Sequence, residues 1–278
     1  MARSGTWLLT IGPMDTSAMT FRPLVSIISP SFNKGEFIEE CIESIQRQSY
    51  PNWEHIVVDG GSNDQTIQIL RRYSHIRWIS EPDGGMYNAI NKGIGLARGD
   101  IIAYLNCDDR YFPSTLRRVV KEFATSEIID FVYGYCGYID KSGAELFFMR
   151  SIPYFPFLLK KMPRIPWAQP STFWRRAVHD KIGTFDEQFM IVGDFEFFGR
   201  MIRRGCRGKL VRAKLSQFML DNSFAEQDKY LIERKRAVDV LGCGASTTAK
   251  VRGALAEVLF KLSNVDNYVR RAQMRRKK

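Results

Sequence analysis

The chain has 278 residues, of which 45% are hydrophobic and 26% are charged, and its formal net charge is +11. This composition is that of a globular protein and excludes collagen-like, low-complexity and wholly disordered chains. No apolar run approaches the roughly 20 residues that a membrane-spanning helix requires. The excess positive charge lies at one end: residues 200–278 contain 20 Lys/Arg and 7 Asp/Glu, a net charge of +13, which leaves −2 for residues 1–199.

Patterned sequence begins at Pro23, and residues 1–22 are predicted to be a disordered extension. The five cysteines are scattered without the paired spacing of a zinc site, and their odd number favours reduced thiols in a cytoplasmic protein. Most of them are expected to fill the core.

Short β-branched runs alternate with helical patterns over the first 125 residues. Strands are predicted at 24–28, 55–58, 76–79 and 101–105, and each is followed by apolar residues at helical spacing. Four such units in succession predict right-handed crossovers, and therefore an α/β fold with a Rossmann-like, mostly parallel, twisted sheet that is covered by helices.

Local signals mark three of the helix starts. Asn33 and Glu36 have the spacing of a capping box ahead of the first helix. Asp64 is placed to cap the second helix, and Pro113 lies where proline suits the first turn of the helix after the fourth strand.

The pattern changes after residue 130 and predicts a mixed second half with a helical tail. Strands are predicted at 131–135 and 146–149 around a turn. A stretch punctuated by prolines, from 153 to 170, is predicted to be an irregular loop over the site and not a regular helix. Helices are predicted at 195–204 and 225–262.

Asp108 and Asp109 follow the fourth predicted strand directly. Ligands of parallel sheets bind at the carboxyl ends of the strands, and two adjacent carboxylates there repel each other unless something compensates them. A Mg²⁺ or Mn²⁺ ion would compensate them, because these ions bind carboxylates together with phosphate oxygens. The alternative is a helix N-terminus, where acidic residues are stabilised by the helix dipole.

Two glycine turns follow the second and third predicted strands. Asp59 begins the first, where its carboxylate is able to accept hydrogen bonds from a ligand that the glycines allow to approach. Asp83 begins the second, at the start of a helix that carries Lys92 about two turns in, and helix N-termini attract phosphate. Taken singly, these residues fit a surface turn and a solvated lysine equally well.

Asp194 lies among aromatic residues, in a segment that ends at Phe198. An acidic side chain in apolar surroundings is a candidate for a raised pKa and for proton abstraction. Asp194 is also placed to cap the helix predicted at 195–204, and the two roles are compatible.

Taken together, these segments resemble the family 2 glycosyltransferases of the GT-A fold. The resemblance covers roughly residues 23–205, and its motifs stand in order at residues 25–33, 42–54, 58–66 and 99–109. The segments that begin at Asp83 and Asn106 are similar to a bacterial subgroup that builds exopolysaccharide, colanic-acid-like or lipopolysaccharide glycans.

The resemblance implies a role for each candidate residue. Asp194 would be the general base, and Trp167 and Gln169 would line the acceptor side, where core packing is an equal alternative. Asp59 would contact the nucleotide base, usually uracil in this family, and Mn²⁺ or Mg²⁺ would be the cofactor. The nucleotide-binding residues would be Pro30, Phe32, Asp59, Asp83, Lys92 and Asp108, and the metal ligands would be Asp108 and Asp109.

The resemblance further implies an inverting transfer of a sugar from a nucleotide sugar, a UDP-sugar above all, to a glycan or lipid-linked acceptor. The domain would span 23–215, with a nucleotide-binding half at 23–110 and an acceptor-binding half at 111–215, followed by a basic helical extension at 216–278. Two positions depart from the family: Asn106 stands where Asp is frequent, and Gly193 where Glu often precedes the base.

Other functions stay open at this stage. A nucleotidyltransferase would share the fold class but should have a glycine-rich basic loop after the first strand, where Pro30 and Phe32 stand. The basic tail suggests nucleic acid, which carboxylates at strand ends would repel, so no nucleic-acid partner is expected. It also suggests an anionic membrane at the inner face of the cell, because the apolar residues Val251, Leu255, Val258, Leu259 and Leu262 alternate with cations. Packing of that apolar face on the domain is the alternative.

Overall fold

The computed structural model describes residues 22–159, 165–220, 227–242 and 247–266. The extension predicted at 1–22 lies outside these residues except for Arg22, as does the basic tail after residue 266.

The first half of the chain alternates strands and helices as predicted. Its four strands pair in parallel in the order β3-β2-β1-β4, which places the first strand in the centre. The elements are β1 (Val25–Ser31), α1 (Ile38–Gln46), β2 (Trp53–Asp59), α2 (Thr66–Leu70), β3 (Arg77–Ser80), α3 (Met86–Leu96) and β4 (Ile101–Tyr104).

The second half extends the same sheet with mixed pairing, also as predicted. The order continues from β4 as β8-β6-β9-β5, in which β8 is antiparallel to both neighbours and β6 is parallel to β9. The predicted hairpin is present, since β7 pairs antiparallel with β6. The elements are β5 (Arg110–Tyr111), α4 (Thr115–Ala124), β6 (Phe131–Ile139), β7 (Glu145–Met149), α5 (Pro156–Leu159), β8 (Thr172–Arg175), α6 (Val178–Ile182), α7 (Gly193–Arg203), β9 (Gly208–Met219), α8 (Gln227–Val240) and α9 (Thr247–Ser263).

Both faces of the central sheet are covered, which explains why its strands are rich in apolar residues on both faces. All seven residues of β1 are buried. Successive side chains point to opposite faces, so Ile27 packs in one core cluster and Ile28 in another on the far side. This burial fixes the strand register, and with it the positions of the turns at the strand ends.

The segment after residue 215 belongs to the sheet and the core wherever it is described. Strand β9 continues to Met219 and pairs there with β6. Helices α8 and α9 contribute Ala237, Ala256 and Phe260 to the largest core cluster. The helical character predicted for residues 225–262 is confirmed in the described residues, where it is divided between α8 and α9.

The helix starts differ from their predictions. No side chain caps α1, whose N-cap is Phe37, so the predicted capping box is wrong. Asn33 instead adopts a left-handed φ of 51° and binds the neighbouring loop, where its Oδ1 accepts from the Asn63 N–H at 3.0 Å. A tertiary contact has replaced the local cap.

Two further helix starts also shift. Helix α2 has Gln65 as its N-cap, one residue after Asp64, although the Asp64 carboxylate still accepts from the Thr66 N–H. Pro113 precedes the Ser114 N-cap of α4 and is not in the first turn.

The proline-rich stretch is irregular for most of its described length, but it does contain one turn of helix, α5, and a 3-10 turn at Gln169–Ser171. In the described part of the chain, no helix combines the length and the apolar character needed to cross a bilayer.

Candidate active site

A cavity of about 750 Å³ opens at the carboxyl ends of β1, β2 and β4. We call it the large cavity. The turns that follow the strands form its wall, in agreement with the position predicted for a ligand in a parallel sheet. Its lining is Pro30, Ser31, Phe32, Lys34, Gly60, Pro82, Asp83, Gly84, Gly85, Met86, Ala89, Asn106, Cys107, Asp108 and Met190.

Four of the predicted nucleotide-binding residues line the large cavity: Pro30, Phe32, Asp83 and Asp108. Phe32 is 60% exposed. The ring offers a flat apolar surface at the cavity, on which a planar ligand group can stack.

Asp83 reaches the cavity because glycines clear its path. Its Oδ1 accepts from the Gly85 N–H at 2.8 Å, which fixes the carboxylate at the start of α3. A Cβ added at Gly60 would lie 2.9 Å from Asp83 Oδ2, so a side chain at position 60 would displace the carboxylate. The glycine turn after β2 therefore serves the carboxylate after β3.

Asp59 is fully buried beneath the cavity wall. Its Oδ2 accepts from the Ser62 N–H at 2.8 Å and from the Ser80 hydroxyl at 2.7 Å, and its Oδ1 accepts from the Ser62 hydroxyl. The carboxylate thus holds the turn after β2 against β3. A direct contact between Asp59 and a nucleotide base stays a prediction.

Asp108 forms an ion pair with Lys34, whose Nζ lies 2.7 Å from Asp108 Oδ2. Burial lowers the pKa of Lys34, but the Asp108 charge outweighs it and leaves the pKa above its ordinary value. Sequence analysis missed Lys34, because a lone lysine after a strand carries no motif.

Asp109 is 1% exposed and is not among the residues that line the large cavity. Its Oδ1 accepts from the Met219 N–H at 3.0 Å, which ties the end of β4 to the end of β9. Burial, and then the charge of Asp108, raises the pKa of Asp109 well above its usual range. Its Oδ2 has no hydrogen-bond partner, and neither has Oδ1 of Asn106.

These oxygens fit a hard divalent cation only in part. Asp108 and Asn106 line the same cavity, and the Asn106 oxygen lacks a partner. Among the residues that the structure describes, no cluster of three or more His, Cys, Asp or Glu side chains could hold an ion. This donor set suits Mg²⁺ or Mn²⁺, which bind one or two carboxylates and complete their shell with phosphate oxygens and water.

Lys92 lies on α3, outside the lining of the large cavity, and its Nζ lies 2.6 Å from Glu81 Oε1. Its predicted contact with a nucleotide stays a prediction.

A second cavity, of about 270 Å³, brings together three more of the predicted site residues, Asp194, Trp167 and Gln169. We call it the small cavity. The backbone segment from Met190 to Val192 lies between the two, because Met190 lines the large cavity while Ile191 and Val192 line the small one.

Asp194 is the second residue of α7, and the N-cap is Val192, so the predicted capping role is wrong. Its Oδ1 accepts from the Phe195 N–H at 2.7 Å, while its own N–H donates to the Tyr87 hydroxyl. The carboxyl group is surrounded by protein although the residue keeps an open edge in the cavity, and this desolvation raises its pKa to about 6. That value suits a group that accepts a proton near neutral pH.

Gly193, a departure from the family pattern, has a packing reason. A Cβ at this position would lie 2.7 Å from the Tyr87 ring. The same ring supplies the hydroxyl that binds the Asp194 amide. Tyr87 and a side chain at position 193 thus exclude each other.

Trp167 and Gln169 serve both the cavity and the core. Trp167 is 4% exposed and stacks on Tyr133 with ring centroids 4.3 Å apart, but its indole N–H has no partner. The Gln169 side-chain amide donates to the Tyr104 carbonyl at 2.7 Å. Trp174, in contrast, is wholly buried.

Helix α8 supplies residues that sequence analysis did not connect with the site. Tyr230 and Arg234 line the small cavity. Between them, the Glu233 carboxylate accepts from the N–H groups of Met190, Ile191 and Val192, at 2.9, 2.8 and 3.2 Å. The sequence of α8 contains no motif from which these contacts could be predicted.

Known proteins share both the sequence pattern and the fold. The model of glycosyl transferase family 2 matches residues 26–185. An uncharacterized glycosyltransferase of Rickettsia typhi is 31% identical over 66% of this chain, which spans only 60% of that protein. A PGL/p-HBAD biosynthesis glycosyltransferase of Mycobacterium bovis is 29% identical over 63% of this chain and 68% of that protein.

A solved structure extends the comparison beyond the matched segment. The mannosyltransferase PcManGT from Pyrobaculum calidifontis, in complex with GDP-Man and Mn²⁺, has a TM-score of 0.61 at 20% identity, over 88% of this chain and 72% of that one. At this identity the likeness is one of fold, and it confirms the predicted GT-A architecture. Since the family model spans more than half of the chain, the protein belongs to glycosyl transferase family 2.

Proposed function

We propose that the protein transfers a sugar from a nucleotide sugar, with a UDP-sugar as first candidate, to an acceptor hydroxyl in the synthesis of a bacterial surface glycan. The observation that carries the proposal is the pair of adjacent cavities. One contains an open aromatic ring and the carboxylates Asp83 and Asp108, and the other contains Asp194 with its raised pKa.

The large cavity suits the donor. The exposed Phe32 ring would stack on the base, and the start of α3 beside Asp83 would face the more polar parts of the nucleotide. Lys34 is the cation among the described lining residues, and a diphosphate would compete with Asp108 for its ammonium group.

A divalent ion would be held by Asp108 and Asn106 together with diphosphate oxygens, and when bound it would neutralise the charge of the leaving nucleoside diphosphate. The relative in complex with Mn²⁺ and GDP-Man supports this assignment. The role predicted for Asp109 as a direct ligand is part of the proposal and is tested separately below.

Asp194 would take the proton of the acceptor hydroxyl from the small cavity. Because the acceptor and the leaving group would then lie on opposite sides of the transferred sugar, a single displacement inverts the anomeric carbon, as in inverting glycosidases. The hydrogen bond from the Phe195 N–H holds the carboxylate, and the one from the Asp194 N–H to the Tyr87 hydroxyl holds the backbone of the same residue. Such positioning can supply roughly 7–11 kcal/mol of the barrier.

Loss of the Asp108 carboxylate should remove the effect of metal on donor binding. We expect Asp108→Asn to bind UDP with an affinity that no longer rises when Mn²⁺ is added, because the carboxylate ligand is gone. Calorimetry with UDP and GDP, each with and without Mn²⁺, measures this. Asp109→Asn tests the second predicted ligand, and the exposed Glu127→Gln is the control. Retention of a full Mn²⁺ effect by both Asp variants would contradict the metal site.

Replacement of the base should separate binding from transfer. Asp194→Asn preserves the shape of the side chain but cannot accept the proton, so we expect unchanged UDP affinity and a transfer rate lower by roughly 100-fold or more. Product formation from the donor identified by calorimetry measures the rate. Transfer at close to the wild-type rate would remove Asp194 from the mechanism.

The raised pKa of Asp194 predicts a pH dependence. The carboxylate must be ionised to act, so activity should be half-maximal near pH 6, approach its full value about one pH unit higher, and fall by about tenfold per pH unit well below pH 6. A profile of kcat/KM between pH 4.5 and 8 should show this limb, which Asp194→Asn should lack. A fall in kcat/KM near pH 4 instead, the ordinary range of an aspartate, would show that burial does not raise the pKa of Asp194.

We also propose that α9 rests on an anionic membrane, as would suit a lipid-linked acceptor at the cytoplasmic face. The helix packs on the domain through Ala256 and Phe260. Its opposite face exposes apolar side chains that are each 50% or more open to solvent: Val251, Leu255, Val258, Leu262 and Val265. The net charge of +13 in the last 79 residues complements anionic lipid. The cations at Lys250, Arg252, Arg270 and Arg271 have side chains outside the described part.

Polar residues on this face should weaken membrane binding. Two leucines withdrawn from the bilayer cost about 1.5–3 kcal/mol each, so Leu255→Ser with Leu262→Ser should reduce the partition coefficient more than about tenfold. Co-sedimentation with phosphatidylcholine vesicles, with and without phosphatidylglycerol, measures this, and Ile128→Ser, also exposed, is the control. Equal sedimentation of the leucine variant and the Ile128 control would reject the proposal. If the wild type were a dimer and the leucine variant a monomer, the apolar face of α9 would be assigned to contact with a second copy of the chain.

A further inference from the structure

Helix α8 presents one face to the small cavity. This face carries residues at the three- and four-residue spacing that aligns side chains on a helix: Tyr230, Glu233, Arg234 and Ala237. Ala237 is buried in the core, Tyr230 and Arg234 line the cavity, and Glu233 binds the segment between the two cavities. The helix lies well beyond residues 26–185, which the family model matches. It therefore belongs to the part of the chain in which specificity can differ between relatives.

Glu233 fixes the position of this face of α8 relative to the backbone of residues 190–192. Its two carboxylate oxygens accept from three consecutive N–H groups, those of residues 190–192. Such charge-assisted hydrogen bonds are stronger than neutral ones. Nearby, the Arg236 guanidinium lies over the Phe189 ring, 5.1 Å from its centroid. Helix α8 is thus fixed to the wall that carries Asp194, and Arg234 is fixed with it.

The small cavity has an asymmetric distribution of charge. Asp194 lies on one wall, and on α8 stands Arg234, the cation among the described residues that line the cavity. The remaining lining is aromatic, aliphatic or neutral, with Trp167 and Phe198 among it. A half-buried guanidinium in a cavity of this size is suited to bind a planar or tetrahedral anion through two parallel N–H groups.

We propose that Arg234 binds an anionic group of the acceptor, a phosphate or a carboxylate, and so selects charged acceptors. The proposal rests on the proposed function, in which the small cavity receives the acceptor. Since an anion is repelled by the Asp194 carboxylate and attracted by Arg234, the acceptor can lie in one direction only, with its anion toward α8 and its hydroxyl toward Asp194. The charged pair would orient the acceptor before transfer.

The test measures the binding of small probes while UDP and Mn²⁺ fill the large cavity. The probes are glucose 1-phosphate, glucuronate and the neutral methyl glucoside. The binding of each probe is measured by saturation-transfer NMR titration. We expect at least one charged probe to bind about tenfold or more tightly than the neutral one, as a charge-assisted hydrogen bond to arginine implies. The phosphate and carboxylate probes distinguish the two sources of negative charge.

The variant Arg234→Gln should abolish this preference, and Arg234→Lys should restore part of it. Lys235→Gln is the matched control, because it removes the same charge from the exposed neighbour on α8. Equal binding of charged and neutral probes by the wild type, or an unchanged preference in Arg234→Gln, would overturn the proposal. So would a loss of UDP affinity in Arg234→Gln, because the arginine would then serve the donor. Failure of the wild type to bind any nucleotide would instead contradict the proposed function itself.

Discussion

Carboxylates gathered at one edge of a sheet repel each other, and the site depends on how each is compensated. Asp59 is stabilised by hydrogen bonds from the turn that it holds and from Ser80, and Asp108 by an ion pair with the Lys34 ammonium group. Burial raises the pKa of both Asp109 and Asp194. The four carboxylates thereby differ in their surroundings and in their partners. Of the four, Asp108 lines the large cavity and Asp194 lines the small cavity.

The two cavities depend on a short piece of backbone. Residues 190–192 separate them, and their N–H groups would have no strand or helix partner in this turn without the Glu233 carboxylate. Buried amides without partners are costly, so the turn needs an acceptor from elsewhere in the chain. Helix α8 provides it and at the same time closes the small cavity with Tyr230 and Arg234. One hydrogen-bonded contact therefore links helix α8 to the backbone segment that separates the two cavities.

The sequence predicted those features that local pattern or residue order determines. Buried strands are rich in apolar residues, so β1 and β4 were found within a few residues, and the acidic pair after β4 followed. The capping box at Asn33 was wrong because its side chain satisfies a neighbouring turn and not its own helix. Lys34 and Glu233 were missed for the same reason, since each acts on a residue at least 40 positions away. Pattern within a window of a few turns cannot show such contacts.

The same limit applies to α9, where the apolar pattern was visible but its direction was not. Leu255 and Leu262 have the spacing of a core-facing stripe, and packing on the domain was an equal expectation. In the structure, the helix turns Ala256, Phe260 and Asn264 inward, and Asn264 receives a hydrogen bond at 2.7 Å from the Arg150 N–H. Small and polar residues allow close approach and specific pairing, whereas the larger aliphatic side chains remain outside. Exposure of this aliphatic face to water is unfavourable in free energy. Such a face persists only if another surface covers it or if the rest of the domain is stable enough to offset the cost.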